Sequence, residues 1–169
     1  NATYLTISLL IAGVWSLIDR RPRAHPILQD GLWTLLRMII ALYLFTYGFA
    51  KIFGLQFTIP SSTVLMSEVG SLKPSELMKV FMGTSQPYSA IAGWAEVIGG
   101  VLLCFRRSTL FGALISFGLM VNILAMNVFY DFGMQRLALE LTLITLLIMT
   151  PYVRNLFSLI VLNRASEPV

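Results

Sequence analysis

Five long apolar runs, separated by short polar or charged turns, constrain this chain more than anything else in it. They cover Tyr4 to Ile18, Trp33 to Phe53, Tyr88 to Phe105, Thr109 to Tyr130 and Gln135 to Thr150. A helix needs roughly 20 mostly apolar residues to cross a bilayer, somewhat fewer when its ends are polar. Irregular backbone cannot face lipid, so runs of this kind must be helical. Across the 169 residues 57% are hydrophobic and only 12% charged, about half the charge of an ordinary soluble domain. The implied fold class is an all-α integral membrane protein. It has an antiparallel four-helix transmembrane core, one extra N-terminal transmembrane helix and an interfacial C-terminal helix.

The turns set the topology. Arg106-Arg107 and the stretch from Tyr130 to Met134 are too short for anything but antiparallel hairpins. Eight arginines (20, 21, 23, 37, 106, 107, 154 and 164) then fall on one side of the bundle. Lys51, Lys73, Lys79 and Arg136 fall on the other. Eight against four places the loop at 19–32 and the C-terminus on the cytoplasmic side of the membrane. The expected organisation is an extra spanning helix at 1–18, a basic loop at 19–32, a four-helix core at 33–150 and an interfacial segment at 151–169. Within the core, 55–87 forms an outer cap of two short helices, the second starting near Pro74-Ser75. The chain starts at Asn1 and its first apolar run lacks a basic leader, so further sequence is expected before it.

The net charge of +4 is explained by topology, and no basic stripe suggests nucleic acid. Cys104 and His25 are the only residues of their types, so an intrachain disulfide, a CxxC redox pair, a haem pair or a histidine-rich metal site is not expected. Asp131-Phe132-Gly133 matches a kinase triplet by chance and reads as a helix-breaking turn.

Polar residues within the spans carry what chemistry there is. At about 1.5 Å per residue from the outer ends, Glu96 and Asn122 lie about 12 Å deep, Glu140 about 8 Å and Lys51 about 4 Å. Tyr43, Tyr47 and Lys51 share one helix face, as do Arg136 and Glu140. Ala92, Glu96, Gly99 and Gly100 share another, so a neighbouring helix can come close beside the carboxylate. An isolated ion at such depth costs several kcal/mol. Glu96 and Glu140 are therefore expected to be neutral, paired with Lys51 or Arg136, or open to an outer water-filled cavity. One reading makes Glu96, Asn122 and Glu140 interhelical glue, worth about 0.6 to 2 kcal/mol per interaction. The other is an outer-half polar pocket holding a quinone, a lipid or a small polar ligand, built from Tyr47, Lys51, Trp94, Glu96, Asn122, Asn127, Tyr130, Arg136 and Glu140. Neither reading includes a catalytic residue or a metal.

The segments RMIIALYLFTYGFAKIFG and GWAEVIGGVLLCFRRSTLFGALISFGLMVNILAMN, followed by a last helix with a glutamate near its outer end, resemble the DoxX family of small bacterial membrane proteins. The likeness runs from about Arg37 to Pro151. Its marks are an arginine opening the first core helix, a glycine and lysine closing it, and a glutamate followed by a Gly-Gly pair. Here those are Arg37, Gly48, Lys51, Glu96, Gly99 and Gly100. The resemblance implies a four-helix core with both ends inside. It implies too that relatives include subunits of a thiosulfate:quinone oxidoreductase and of oxidative-stress complexes. The leading expectation is an accessory subunit of a larger, redox-linked membrane complex, in contact with the bilayer and other membrane subunits. A quinone-linked oxidoreductase subunit acting on a small sulfur compound and a small-solute transporter remain open as rivals.

Overall fold

The structure is a computed structural model that describes residues 26–153, with side chains from Leu28 onward. The run Tyr4 to Ile18 and the interfacial segment beyond Val153 lie outside the described residues. The chain divides into two compact units at Leu32/Trp33. The second unit, beginning at Trp33, holds the helical bundle.

Every described element is helical: α1 Pro26–Ile52, α2 Ser62–Leu65, α3 Pro74–Thr84, α4 Gln86–Cys104, α5 Thr109–Phe129 and α6 Gln135–Met149. Single 3-10 turns lie at Val69–Ser71, Arg106–Ser108 and Thr150–Tyr152. Among the described residues, three helices are long and apolar enough to cross a membrane: Leu28–Ile52, Gln86–Cys104 and Arg106–Phe129. The fourth, α6, has only 15 residues. The chain is an all-α membrane protein. Helix α1 starts at Pro26, so the end of the stretch expected as a basic loop is helical. Proline explains the start, since its fixed φ and missing N–H suit a first helical turn.

Small residues let the helices touch. A β-carbon at Gly48 would stand 2.8 Å from the carbonyl oxygen of Gly93, and one at Gly100 would stand 2.9 Å from the ring of Phe45. The pairs 48 with 93 and 45 with 100 run in opposite senses, so α1 and α4 are antiparallel. At the α4–α5 turn, Ser108 Oγ donates to the Leu102 carbonyl at 2.8 Å, and a β-carbon at Gly112 would meet the backbone of Leu103 at 2.7 Å. Between α5 and α6, the Thr142 hydroxyl donates to Ala138 O in its own helix at 2.6 Å and lies 3.3 Å from Met120 O across the seam. Ile40, Leu44, Leu103, Ala113, Met120, Leu141 and Ile148 form the core between these seams. Large side chains such as Leu42, Ile91, Phe111 and Leu143 face outward, as spans in lipid require.

Helix α1 stops at a glycine. Gly54 has φ +65°, Leu55 N–H donates to Ala50 O at 2.8 Å and Gly54 N–H to Lys51 O at 3.1 Å. These two bonds make a Schellman motif, which satisfies the last carbonyls and reverses the chain. Helix α5 ends in a related way: Asp131 has φ +48° and Phe132 N–H reaches back to Asn127 O at 3.1 Å. Each reversal folds the next residues, Gln56 and Phe132, back over the bundle end.

The cap between α1 and α4 sits on that end. Lys73 N–H donates to Glu76 Oε2 at 3.0 Å and Pro74 opens the helix, so α3 begins where Pro74-Ser75 predicts. Phe57, Met78 and Met82 form a small second core against Ala92, Met126 and Phe132. Ser89 Oγ donates to Met82 O at 2.6 Å, and Gln86 Nε2 donates to Phe57 O at 2.9 Å. These two side chains, at the start of α4, tie the cap to the bundle.

Candidate functional site

The close α1–α4 seam determines the site. Gly48 and Gly93 bring the two backbones together one helical turn from Lys51 and Glu96 respectively. At that spacing Lys51 Nζ donates to Glu96 Oε1. Both residues are buried, 7% and 2% exposed. Of the two cations offered by the sequence, Lys51 is the partner and Arg136 is not.

The pair lies between two cavities. The larger, about 570 Å³, opens between the cap and the bundle. Its polar lining includes Lys51, Gln56, Glu96, Asn122, Asn127 and Tyr130, and its apolar walls include Phe57, Met78, Phe81, Met82 and Leu119. The smaller, about 50 Å³, lies deeper among α1, α4, α5 and α6, where Tyr43, Tyr47 and Leu141 join Lys51, Glu96 and Asn127. Volumes of the first size are typical of ligand pockets, and the second has room for water.

Asn127 is 6% exposed, and its Nδ2 donates to Ile123 O at 2.8 Å. That bond fixes the amide orientation and turns Oδ1 the other way. Glu96 Oε2 and Asn127 Oδ1 are both buried without a hydrogen-bond partner among the described residues. Tyr47 Oη makes a weak 3.9 Å contact with the Met134 sulfur and stacks on Tyr43 at 6.3 Å. Phe132 closes one side, packed on Phe57 at 6.2 Å with the Lys79 ammonium 5.5 Å from its ring centre.

Six of the nine expected residues line one cavity or both: Tyr47, Lys51, Glu96, Asn122, Asn127 and Tyr130. The other three do not. Trp94 is 52% exposed and points away from the seam that Gly93 forms. Arg136 and Glu140 lie off the packed face of their helix. The buried face of α6 is Ala138, Leu141, Thr142, Thr145 and Ile148, and residues 136 and 140 fall outside that stripe. The expected four-helix polar layer therefore lacks its α6 member. Sequence reasoning missed Gln56 and Phe132, whose signals were Gly54 and the Asp131-Phe132-Gly133 turn.

At the opposite end of α1, Arg37 is 7% exposed. It donates from Nη1 to Thr109 Oγ1 at 2.7 Å and from Nη2 to Thr34 Oγ1 at 3.2 Å. Cys104 ends α4 as a half-buried free thiol. Among the described residues, no three His, Cys, Asp or Glu side chains gather as a metal site.

The glycine-bearing seam and its buried lysine–glutamate pair lie within the stretch that matches a known family. The DoxX family model matches residues 32–130. This chain belongs to the DoxX family. The match covers α1 from Leu32, the cap, α4, α5 and the first residue after α5, and so includes both members of the ion pair. A chain from Bacillus subtilis (strain 168), described as uncharacterized protein YwoB, is 26% identical over 133 residues, covering 79% of this DoxX-family chain and 84% of the relative. No solved structure matches the chain.

Proposed function

We propose that this DoxX-family protein is a non-catalytic, multi-pass subunit of a larger, redox-linked membrane complex, and that its cap cavity holds a quinone or a lipid. The observation that carries the reading is the cavity itself. A space of about 570 Å³ has apolar walls and a buried ion pair at one side, which suits an amphiphile with a polar head and a hydrocarbon tail. The redox link is carried over from what the family resemblance of the sequence implies. The distribution of basic residues supports a bacterial cytoplasmic membrane orientation with the Arg37 end inside and the cap outside.

The test is gentle extraction from the native membrane, followed by mass spectrometry of every protein and small molecule that stays bound. Co-purifying membrane subunits together with one enriched quinone or lipid are expected. A lone protein carrying neither would overturn the reading.

A further inference from the structure

Five buried side-chain polar atoms lack a hydrogen-bond partner among the described residues, and three of them sit at one place. They are Glu96 Oε2, Asn127 Oδ1 and Gln56 Oε1, and all three residues line both cavities. Every one is an acceptor. A buried oxygen without a donor carries a desolvation penalty, so this cluster rewards a molecule that brings hydrogen-bond donors.

Charge narrows the class further. The Lys51–Glu96 pair is already balanced, and a metal ion, an ammonium or a phosphate beside it would add an uncompensated charge to a membrane span. A ketone or quinone carbonyl would turn its oxygen toward three others. A hydroxyl can do both jobs, accepting from an unused N–H of Lys51 and donating to Asn127 or Glu96.

Resting on the cavity reading above, we propose that this site selects a neutral head with two or more hydroxyl donors, attached to an apolar body that lies along Phe57, Met78 and Phe81. A glycerol head and a hydroquinone ring share that chemistry.

Two matched pairs of probes test it on the purified full chain in nanodiscs, read by calorimetry or by quenching of intrinsic tryptophan. The first pair is octylglycerol against its dimethyl ether. The second, under anaerobic conditions, is a short-chain hydroquinone against the corresponding quinone. The hydroxyl member of at least one pair should bind about tenfold tighter or more, given what an unsatisfied buried acceptor costs. The pair that discriminates tells a lipid head from a quinol.

Gln56→Leu, in the turn after α1, should shrink that preference several-fold. Asn127→Leu should do the same if it folds. Equal binding within both pairs would overturn the donor requirement while leaving the cavity reading intact, and water would then satisfy the oxygens. Binding of no probe at all would overturn both.

Discussion

Lys51 and Glu96 meet across the α1–α4 seam as a buried ion pair held by only one of the two carboxylate oxygens. Breaking such a pair from one side leaves a buried charge, which costs about 3 to 5 kcal/mol. The two sides are not equivalent. Lysine sits one residue from the end of α1, and its flexible stem can carry the ammonium toward the interface when the carboxylate is gone. Glutamate, in mid-helix, has too short a stem to reach the interface. Lys51→Met should therefore lower the melting temperature in detergent or nanodiscs more than Glu96→Gln does, and the double variant should recover much of the loss. Equal losses for the two single variants would contradict the asymmetry.

The glycine seam should tolerate no added carbon. A β-carbon at Gly93 would stand 2.5 Å from the Gly48 carbonyl oxygen and 2.9 Å from Ile52. Gly93→Ala should cost about 1 to 3 kcal/mol by forcing the helices apart, and should loosen the ion pair one turn away. Gly118→Ala is the control, because nothing lies within 4 Å of that position and alanine favours a helix interior. Thermal unfolding of the two variants side by side should show a loss for the first only.

Arg37 binds hydroxyls in place of a carboxylate. Thr109→Val would strand its Nη1 donor, at a cost of about 1 to 3 kcal/mol. Arg37→Met combined with Thr109→Val should restore stability, since the buried charge and its partner leave together. A double-mutant cycle on unfolding should give a coupling well above zero. Additive losses would mean that the 2.7 Å contact contributes nothing.

Filling the larger cavity should separate stability from occupancy. Ala92 lines it, one helical turn before Glu96. Ala92→Leu should leave the melting temperature unchanged or higher while removing most of the small molecule that co-purifies. Mass spectrometry of extracts at equal protein would check both halves. Full retention of the ligand would place its site elsewhere.

Much of the site is legible in the chain itself. Depth counted from helix ends brings Glu96 and Asn122 to one level with Lys51 about 8 Å nearer the outer end, within reach of a long side chain, and helical spacing puts Glu96 on the same face as Gly99 and Gly100. Depth alone fails for Glu140. Rotation about the helix axis also decides what a residue meets, and the small Ala138, Thr142 and Thr145 are the true signal for the inner face of α6. The choice between Lys51 and Arg136 turns on the same rotation. Gln56 escapes notice because it reaches the cavity through a tertiary reversal at Gly54, while sequence periodicity describes only regular helices. Trp94 reads as a site residue from its neighbours, yet it lies half-exposed on the side of α4 away from the seam.

The contacts of Arg37 and Lys51 have a mechanical meaning for α1. They stand about 21 Å apart along its axis, one fastened to α5 through Thr109 and the other to α4 through Glu96. A rod pinned at two separated points on different neighbours must break both contacts before it can slide along its axis. The cap is connected differently: its helix α3 joins α4 at the single non-helical residue Ser85. Helix α1 is thus a strut whose axial position is set near both of its ends.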